Sequence, residues 1–196
     1  GVPLQVEKIL DRPKSEVEKT PISIINVSDL SFDEQMYVVS QLAYSIYNWA
    51  RPKGGTSGEP RILFFIDEIG GGGGKQAFYP SHPYNPPSKP PMNVLVKKGR
   101  SFGIGCIFAT QNPGDIDYKG LSNCGTWAVG RLQTDRDRGK VMEGISTANV
   151  YVENIKRKLE GLEFKNFLIK TKDGKKSFIK ERWLVNYHET LSAENL

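Results

Sequence analysis

The residues best placed to do chemistry are two adjacent carboxylates, Asp67 and Glu68. They follow five consecutive large apolar residues, Ile62 to Ile66, in the stretch RILFFIDEI. An unbroken apolar run of this length suits a strand buried on both faces, as in a parallel sheet covered by helices. The acids then stand at the strand's carboxyl end, where loops and helix N-termini converge in open α/β sheets and ligands bind. Two carboxylates there suit a hydrated Mg2+ ion held by the first and an attacking water polarised by the second. Read alone, the same residues are equally a strand followed by a solvated acidic turn.

The run has the form of a Walker B motif, so a phosphate-binding partner motif is the next thing to seek. Gly74-Lys75 is the nearest match. GxxxxGK[ST] would need glycine at 69 and a hydroxyl residue at 76, where Ile69 and Gln76 stand, and a proline-rich segment follows instead of a helix. That reading is rejected, and no Walker A motif occurs elsewhere in the 196 residues. Other chemistries find no support. His82 and His188 are far apart and lack HExxH or cysteine partners, which speaks against zinc. Cys106 and Cys124 make neither a disulfide framework nor a ligand cluster, and Cys106 lies inside an apolar strand pattern.

The elements that must position the acids can be read in order. Residues 1–20 are mixed and charged, a helical scrap or loop. PISIINV, 21–27, reads as a first buried strand. Ser31 and Glu34 have capping-box spacing, and Phe32, Met36, Val39, Ala43, Ile46 and Ala50 then mark one face of a helix that stops before Pro52. After the acids, residues 70–91 hold five glycines and many prolines, a composition that predicts a mobile surface loop. A basic helix spans 92–101, a buried strand 104–110, a short helix 118–124, a strand 126–132 and a helix 135–145 capped by Thr134. Strands alternating with helices in this way predict a parallel sheet with flanking helices. A further helix after Ser146 carries Ala148, Val152, Ile155, Leu159 and Leu162 on one face and ends at Gly161. Asp173-Gly174 then marks the turn of a hairpin over 164–185. The expected organisation is one α/β domain over 1–145 and a helix-plus-hairpin extension over 146–196.

Composition leaves these readings open while closing others. A hydrophobic content of 38% and a charged content of 25% are ordinary for a globular protein. No apolar run approaches the ~18 residues of a membrane span and no signal peptide opens the chain, so a cytoplasmic location is expected. The net charge of +5 is uneven: basic residues outnumber acidic ones 11 to 7 over 61–150 and 10 to 7 over 151–196, against 6 to 8 over 1–60. This permits nucleic-acid contact without demanding it. Lys97, Lys98 and Arg100 are candidates for phosphate contacts, although a charge run is usually a solvated face.

Taken together, IDE ending one strand, ATQ ending the next and GRLQTDRDR after a third resemble the HerA and FtsK family of hexameric DNA-translocating ATPases. The likeness is strongest to HerA-type proteins and covers about 21–145, with RWLVNYHETLS similar to their C-terminal arm. It implies a RecA-like sheet, ATP and Mg2+ as cofactors, a homo-hexamer, double-stranded DNA as the substrate moved, and a partner nuclease in DNA-end processing or repair. Residue by residue, Asp67 matches the Mg2+-binding aspartate and Glu68 the catalytic glutamate. Gln111 matches the polar sensor of the γ-phosphate or attacking water. Arg131 and Arg138 match arginines that reach a neighbouring subunit's nucleotide, although Arg136 and Arg138 also suit simple pairing with Asp135 and Asp137. A conjugation or type IV secretion ATPase shares these features, and a non-catalytic assembly or DNA-binding module would explain the missing Walker A. That absence leads to the expectation of a C-terminal part of a longer ATPase, or a form without its phosphate loop, inactive by itself.

Overall fold

The computed structural model describes residues 6–10, 20–56, 58–145 and 152–182. After a five-residue helix α1 (Val6–Leu10), the first long element is helix α2 (Phe32–Ala50). Ser31 and Glu34 form the predicted capping box, the Ser31 N–H donating to Glu34 Oε2 at 2.8 Å. These bonds hold the Glu34 carboxyl below its ordinary range. Met36, Val39, Ala43, Ile46 and Ala50 are buried, as the spacing predicts.

Strands β1 (Ile62–Ile66) and β2 (Ile104–Phe108) pair in parallel, with Ile62 opposite Ile104 and Ile66 opposite Phe108. Helix α3 (Lys89–Lys98) lies between them in the chain and packs on α2 and β2. Met92 and Leu95 of α3, Ile104, Ile66 and the buried face of α2 form one core. The chain is thus α/β, with a two-stranded parallel sheet, flanking helices and a C-terminal hairpin.

Three expectations need correction. The β1 strand is not buried on both faces: Leu63, Phe65 and Ile107 share an exposed side of the sheet while Ile66 and Ile104 face the core. A continuous apolar run cannot by itself say how many faces are covered. Residues 21–27 form no strand: they pair with neither outer edge of the two-stranded parallel sheet, and Ile22 and Ile24 are exposed. The stretch 126–132 is shorter, β3 (Trp127–Val129), and pairs antiparallel with the hairpin strand β4 (Asn166–Lys170) instead of joining the parallel sheet. Its apolar face explains this choice. Trp127 and Val129 pack with Val141, Met142 and Ile145 of helix α5 (Asp135–Ile145), with Ile155 and Leu159 of helix α6 (Val152–Glu160), and with Leu168, forming a second core. Gly144 permits the approach: a Cβ there would stand 2.2 Å from the Trp127 ring. Strand β5 (Lys176–Lys180) completes the hairpin around the predicted Asp173-Gly174 turn, Gly174 adopting φ 82°. Ala148 and most of RWLVNYHETLS lie outside the described residues.

The Gly/Pro segment also differs from expectation. Phe78, Tyr79 and Pro80 are buried, the Phe78 N–H donates to Ile69 O at 3.1 Å, and Tyr79 Oη donates to Asn93 Oδ1 at 2.6 Å. Lys89 Nζ pairs with Asp117 Oδ2 at 2.8 Å in largely buried surroundings, linking the segment to the short helix α4 (Tyr118–Asn123). Composition registers glycine's backbone freedom and proline's missing donor but not the burial of two aromatic rings. Pro90 and Pro91 begin α3 rather than prevent it, since the first turn of a helix needs no donors from them.

Candidate functional site

The parallel pairing of β1 with β2 brings their carboxyl ends side by side. Past the last paired residues, the Ala109 N–H donates to Ile66 O at 3.0 Å and the Ile69 N–H returns to Ala109 O at 2.9 Å. Asp67, Glu68, Thr110 and Gln111 are thereby held at one edge of the sheet. Asp67 is exposed and its Oδ1 accepts the Glu68 N–H at 3.1 Å, leaving Oδ2 open.

Glu68 is the most constrained residue here. Its φ of 52° lies in the left-handed region, which side chains other than glycine adopt at a cost of about 1–2 kcal/mol. The turn aims its carboxylate across the sheet edge, where Oε1 accepts the Gln111 N–H and Oε2 the Gln111 Nε2–H, each at 3.1 Å. The catalytic acid and the sensor expected from sequence are therefore in direct contact. Each carboxylate oxygen keeps a lone pair for a water.

Sequence reasoning missed two supporting features. Gly70 lies so close to Thr110 that a Cβ would stand 2.7 Å from its Oγ1, while that hydroxyl accepts the Asn112 N–H at 3.0 Å. The first of the five glycines after IDEI was the available signal. The second is a polar junction between the loop after Gln111 and the start of α5. Asp137 Oδ1 accepts the Gly114 N–H at 2.9 Å, Arg136 Nη2 pairs with Asp115 Oδ1 at 3.0 Å, and Thr134 Oγ1 accepts the Asp137 N–H at 3.1 Å. No local pattern in the sequence places Asp115 beside Arg136, because the contact spans 21 residues.

The arginines separate clearly. Arg138 turns inward: Nη1 donates to Leu132 O at 3.0 Å and Gln133 O at 3.3 Å, and Nη2 pairs with Asp135 Oδ1 at 2.8 Å. Its buried Nε has no hydrogen-bond partner and lies 4.0 Å from Glu160. The Asp135 carboxyl is held below its ordinary range, first by the Arg138 bond and then by its charge. Arg131 is exposed and bonds to none of the described residues. Lys97, Lys98 and Arg100 are also exposed, but at the far end of α3 and beyond it, away from the acids.

Asp67 and Glu68 fit a hydrated Mg2+ carried in with a nucleotide's phosphates, since one open carboxylate oxygen at a strand end is enough for a water-mediated contact. A cage made wholly of protein ligands is not the arrangement here: among the described residues no three His, Cys, Asp or Glu side chains gather. The five-glycine loop is no phosphate cradle either. Its N–H groups at Gly71 and Gly73 bond to Glu68 O and Gly70 O, and only the three-residue turn Gly74–Gln76 follows.

No family model and no curated protein matches the sequence. Solved structures do match the fold. The chain is similar to the genome packaging NTPase B204 from Sulfolobus turreted icosahedral virus 2 in complex with AMP, with TM-score 0.52 and 15% identity over 80% of this chain and 65% of that one. The complex with AMPPCP gives 0.52 and 16% over 78% and 65%, and the complex with sulfate 0.51 and 16% over 79% and 64%. The chain therefore spans just under two thirds of that NTPase's length and shares its fold. No helix among the described residues is long and apolar enough to cross a membrane.

Proposed function

We propose that this chain supplies the acid-and-sensor half of a nucleotide site in an ATP-driven motor that moves double-stranded DNA, of the HerA type and hexameric. The observation that carries the reading is the junction of Glu68 with Gln111 across two parallel strand ends, beside an open Asp67. The fold likeness to a genome packaging NTPase solved with AMP and AMPPCP supports nucleotide handling. When bound, Mg2+ offsets the charge of the phosphate oxygens. Asp67 holds the metal's water shell. Glu68 accepts the proton of the attacking water, and Gln111 sets the direction of that carboxylate and releases it when the γ-phosphate competes for its amide. Arg131, exposed and unbonded, is the arginine that reaches the neighbouring subunit, while Arg138 positions the segment that carries it. The phosphate loop comes from outside these 196 residues. DNA-end processing beside a nuclease is the role that the HerA-type likeness implies.

A second reading, a genome-packaging motor, is favoured by the nature of the similar solved structures. Both readings share one test. In an assembly that hydrolyses ATP, Glu68→Gln should keep nucleotide binding and lose turnover, because the amide preserves shape but accepts no proton. Turnover near the parent rate in that variant rejects Glu68 as the base. The 196-residue chain alone should bind a fluorescent ATP analogue weakly and hydrolyse none; steady hydrolysis sensitive to Glu68→Gln would overturn the assignment of the phosphate loop elsewhere.

A further inference from the structure

The end of the fold opposite the carboxylates carries a different chemistry. Helices α2 and α3 run side by side in the same direction: Ser40 Oγ donates to Pro87 O just ahead of α3, and further along Arg51 closes a shallow groove with Tyr44, Asn48, Pro91 and Val94. Their C-terminal ends therefore emerge together. The segment after α2 is fastened to the one after α3. Arg61 reaches between them, Nη1 donating to Gly54 O at 2.7 Å and Nη2 to Lys53 O at 3.0 Å, while the Thr56 N–H donates to Ser101 O at 3.0 Å. The Tyr47 and Phe102 rings meet edge to face at 5.6 Å beneath them.

These ties gather Arg51, Lys53, Lys97, Lys98 and Arg100, all exposed, at one pole. The side chains of Arg51, Lys97, Lys98 and Arg100 bond to none of the described residues. Acidic residues are almost absent from the same segments: between Glu34 and Asp67 the sequence has only Glu59, and between Glu68 and Asp115 it has none. The pole lies beside Ile62 and Ile104, where both strands begin, so the length of the sheet, about 17 Å for five residues, separates it from Asp67 and Glu68.

We propose that this pole docks the sugar-phosphate backbone of a nucleic-acid duplex, at a surface separate from the nucleotide end. The choice of a duplex as the polyanion rests on the DNA-motor reading. Unpaired cations in one place repel each other, and a phosphate backbone relieves that repulsion while releasing its own counterions. The tips, RPKGGT and KKGRS, carry no large apolar side chain to enter a lipid layer. Exposed Tyr44 flanks them. Cations at helix C-termini also offset the carbonyl dipole, a role that would show in stability and not in binding.

The test is fluorescence anisotropy of a labelled 30-base-pair duplex of mixed sequence with the 196-residue chain between 50 and 200 mM KCl. Lys97→Glu, Lys98→Glu and Arg100→Glu together should weaken binding at least tenfold at 50 mM and lower the log–log salt slope by roughly 3, at ~0.9 per phosphate contact. Lys175→Glu with Lys176→Glu, on the hairpin, should change affinity less than twofold. No binding by the parent, equal losses in both variants, or triple-variant binding within twofold of the parent would each overturn the proposal. A lower melting temperature with duplex binding intact would identify the dipole role instead. Retention on phosphatidylserine vesicles without duplex binding would identify a membrane surface. Binding of a fluorescent ATP analogue is measured in parallel. If an assembly that includes the phosphate loop fails to bind nucleotide while the duplex losses appear, the motor reading falls and the pole stands; if that assembly hydrolyses ATP while the triple variant holds DNA normally, the pole alone falls.

Discussion

Replacing Glu68 separates the strain of its backbone from the bonds of its side chain. With φ at 52°, a residue bearing a Cβ gives up about 1–2 kcal/mol that glycine does not. The carboxylate regains some of this through its two bonds from Gln111, about 0.5–1 kcal/mol each for partly exposed partners. Glu68→Ala loses both bonds and keeps the strain, so it should destabilise by about 1–2 kcal/mol. Glu68→Gly loses the same bonds and sheds the strain, leaving a net change within about 0.5 kcal/mol of zero. In ordinary backbone alanine is the more stable by about 0.5–1 kcal/mol; here glycine should lead by about 1 kcal/mol, a reversal of sign. Urea unfolding reads this as a midpoint difference of about 0.4 M for a slope near 2.5 kcal/mol/M. An alanine variant as stable as the glycine variant, or more so, refutes the left-handed turn. Gln111→Leu completes a double-mutant cycle with Glu68→Ala, for which the coupling should be about 0.5–1 kcal/mol. Coupling below about 0.2 kcal/mol would mean that the clamp is not made in solution.

Arg138→Ala should cost about 1–3 kcal/mol, because the Leu132 and Gln133 carbonyls lose their donor, whereas Arg131→Ala should stay within about 0.5 kcal/mol in a thermal melt. In a hydrolysing assembly Arg131→Ala should lower turnover by about a thousandfold or more; a loss of less than threefold removes it as the trans residue. Lys89→Met removes the cation paired with Asp117 in largely buried surroundings and should destabilise by about 3 kcal/mol, with part of the loss recovered by adding Asp117→Asn. A double variant no better than the single would show that the pair contributes little. Burial is the main cause that pushes the Cys106 thiol up from its ordinary 9.0 to about 12, with Cys124 adding to it. The folded state therefore holds the proton more tightly, so the stability tied to this thiol is full below pH 9 and lost as pH rises towards 12. Iodoacetamide at pH 8 should label the half-buried Cys106 more slowly than an exposed thiol, and labelling at the rate of free cysteine would contradict its raised value.

Several elements were legible because the physics that makes them is local. The Ser31–Glu34 box, the α2 stripe, the start of α5 after Thr134 and the turn at Asp173-Gly174 each depend on residues within a few positions of one another. The acids at the end of an apolar strand and the glutamine at the end of the next were legible too. That they touch was not, because the bond needs parallel pairing of strands 42 residues apart. Hydrophobic pattern marks a segment as a strand without naming its partner, which is why 126–132 was assigned to the parallel sheet although Trp127 and Val129 bury better against α5, α6 and Leu168. The same limit applies to 21–27, whose β-branched residues pair with no strand among the described residues. Composition likewise missed how 70–91 is anchored, since glycine's freedom and proline's missing donor say nothing of the burial of Phe78 and Tyr79. For Arg131 and Arg138 the sequence offered one role, a reach to a neighbouring subunit's nucleotide, with simple ion pairing as the alternative for Arg138. The fold separated them, turning Arg138 onto the carbonyls that precede its own helix and leaving Arg131 in solvent, because a guanidinium within reach of unsatisfied carbonyls and a carboxylate bonds there first.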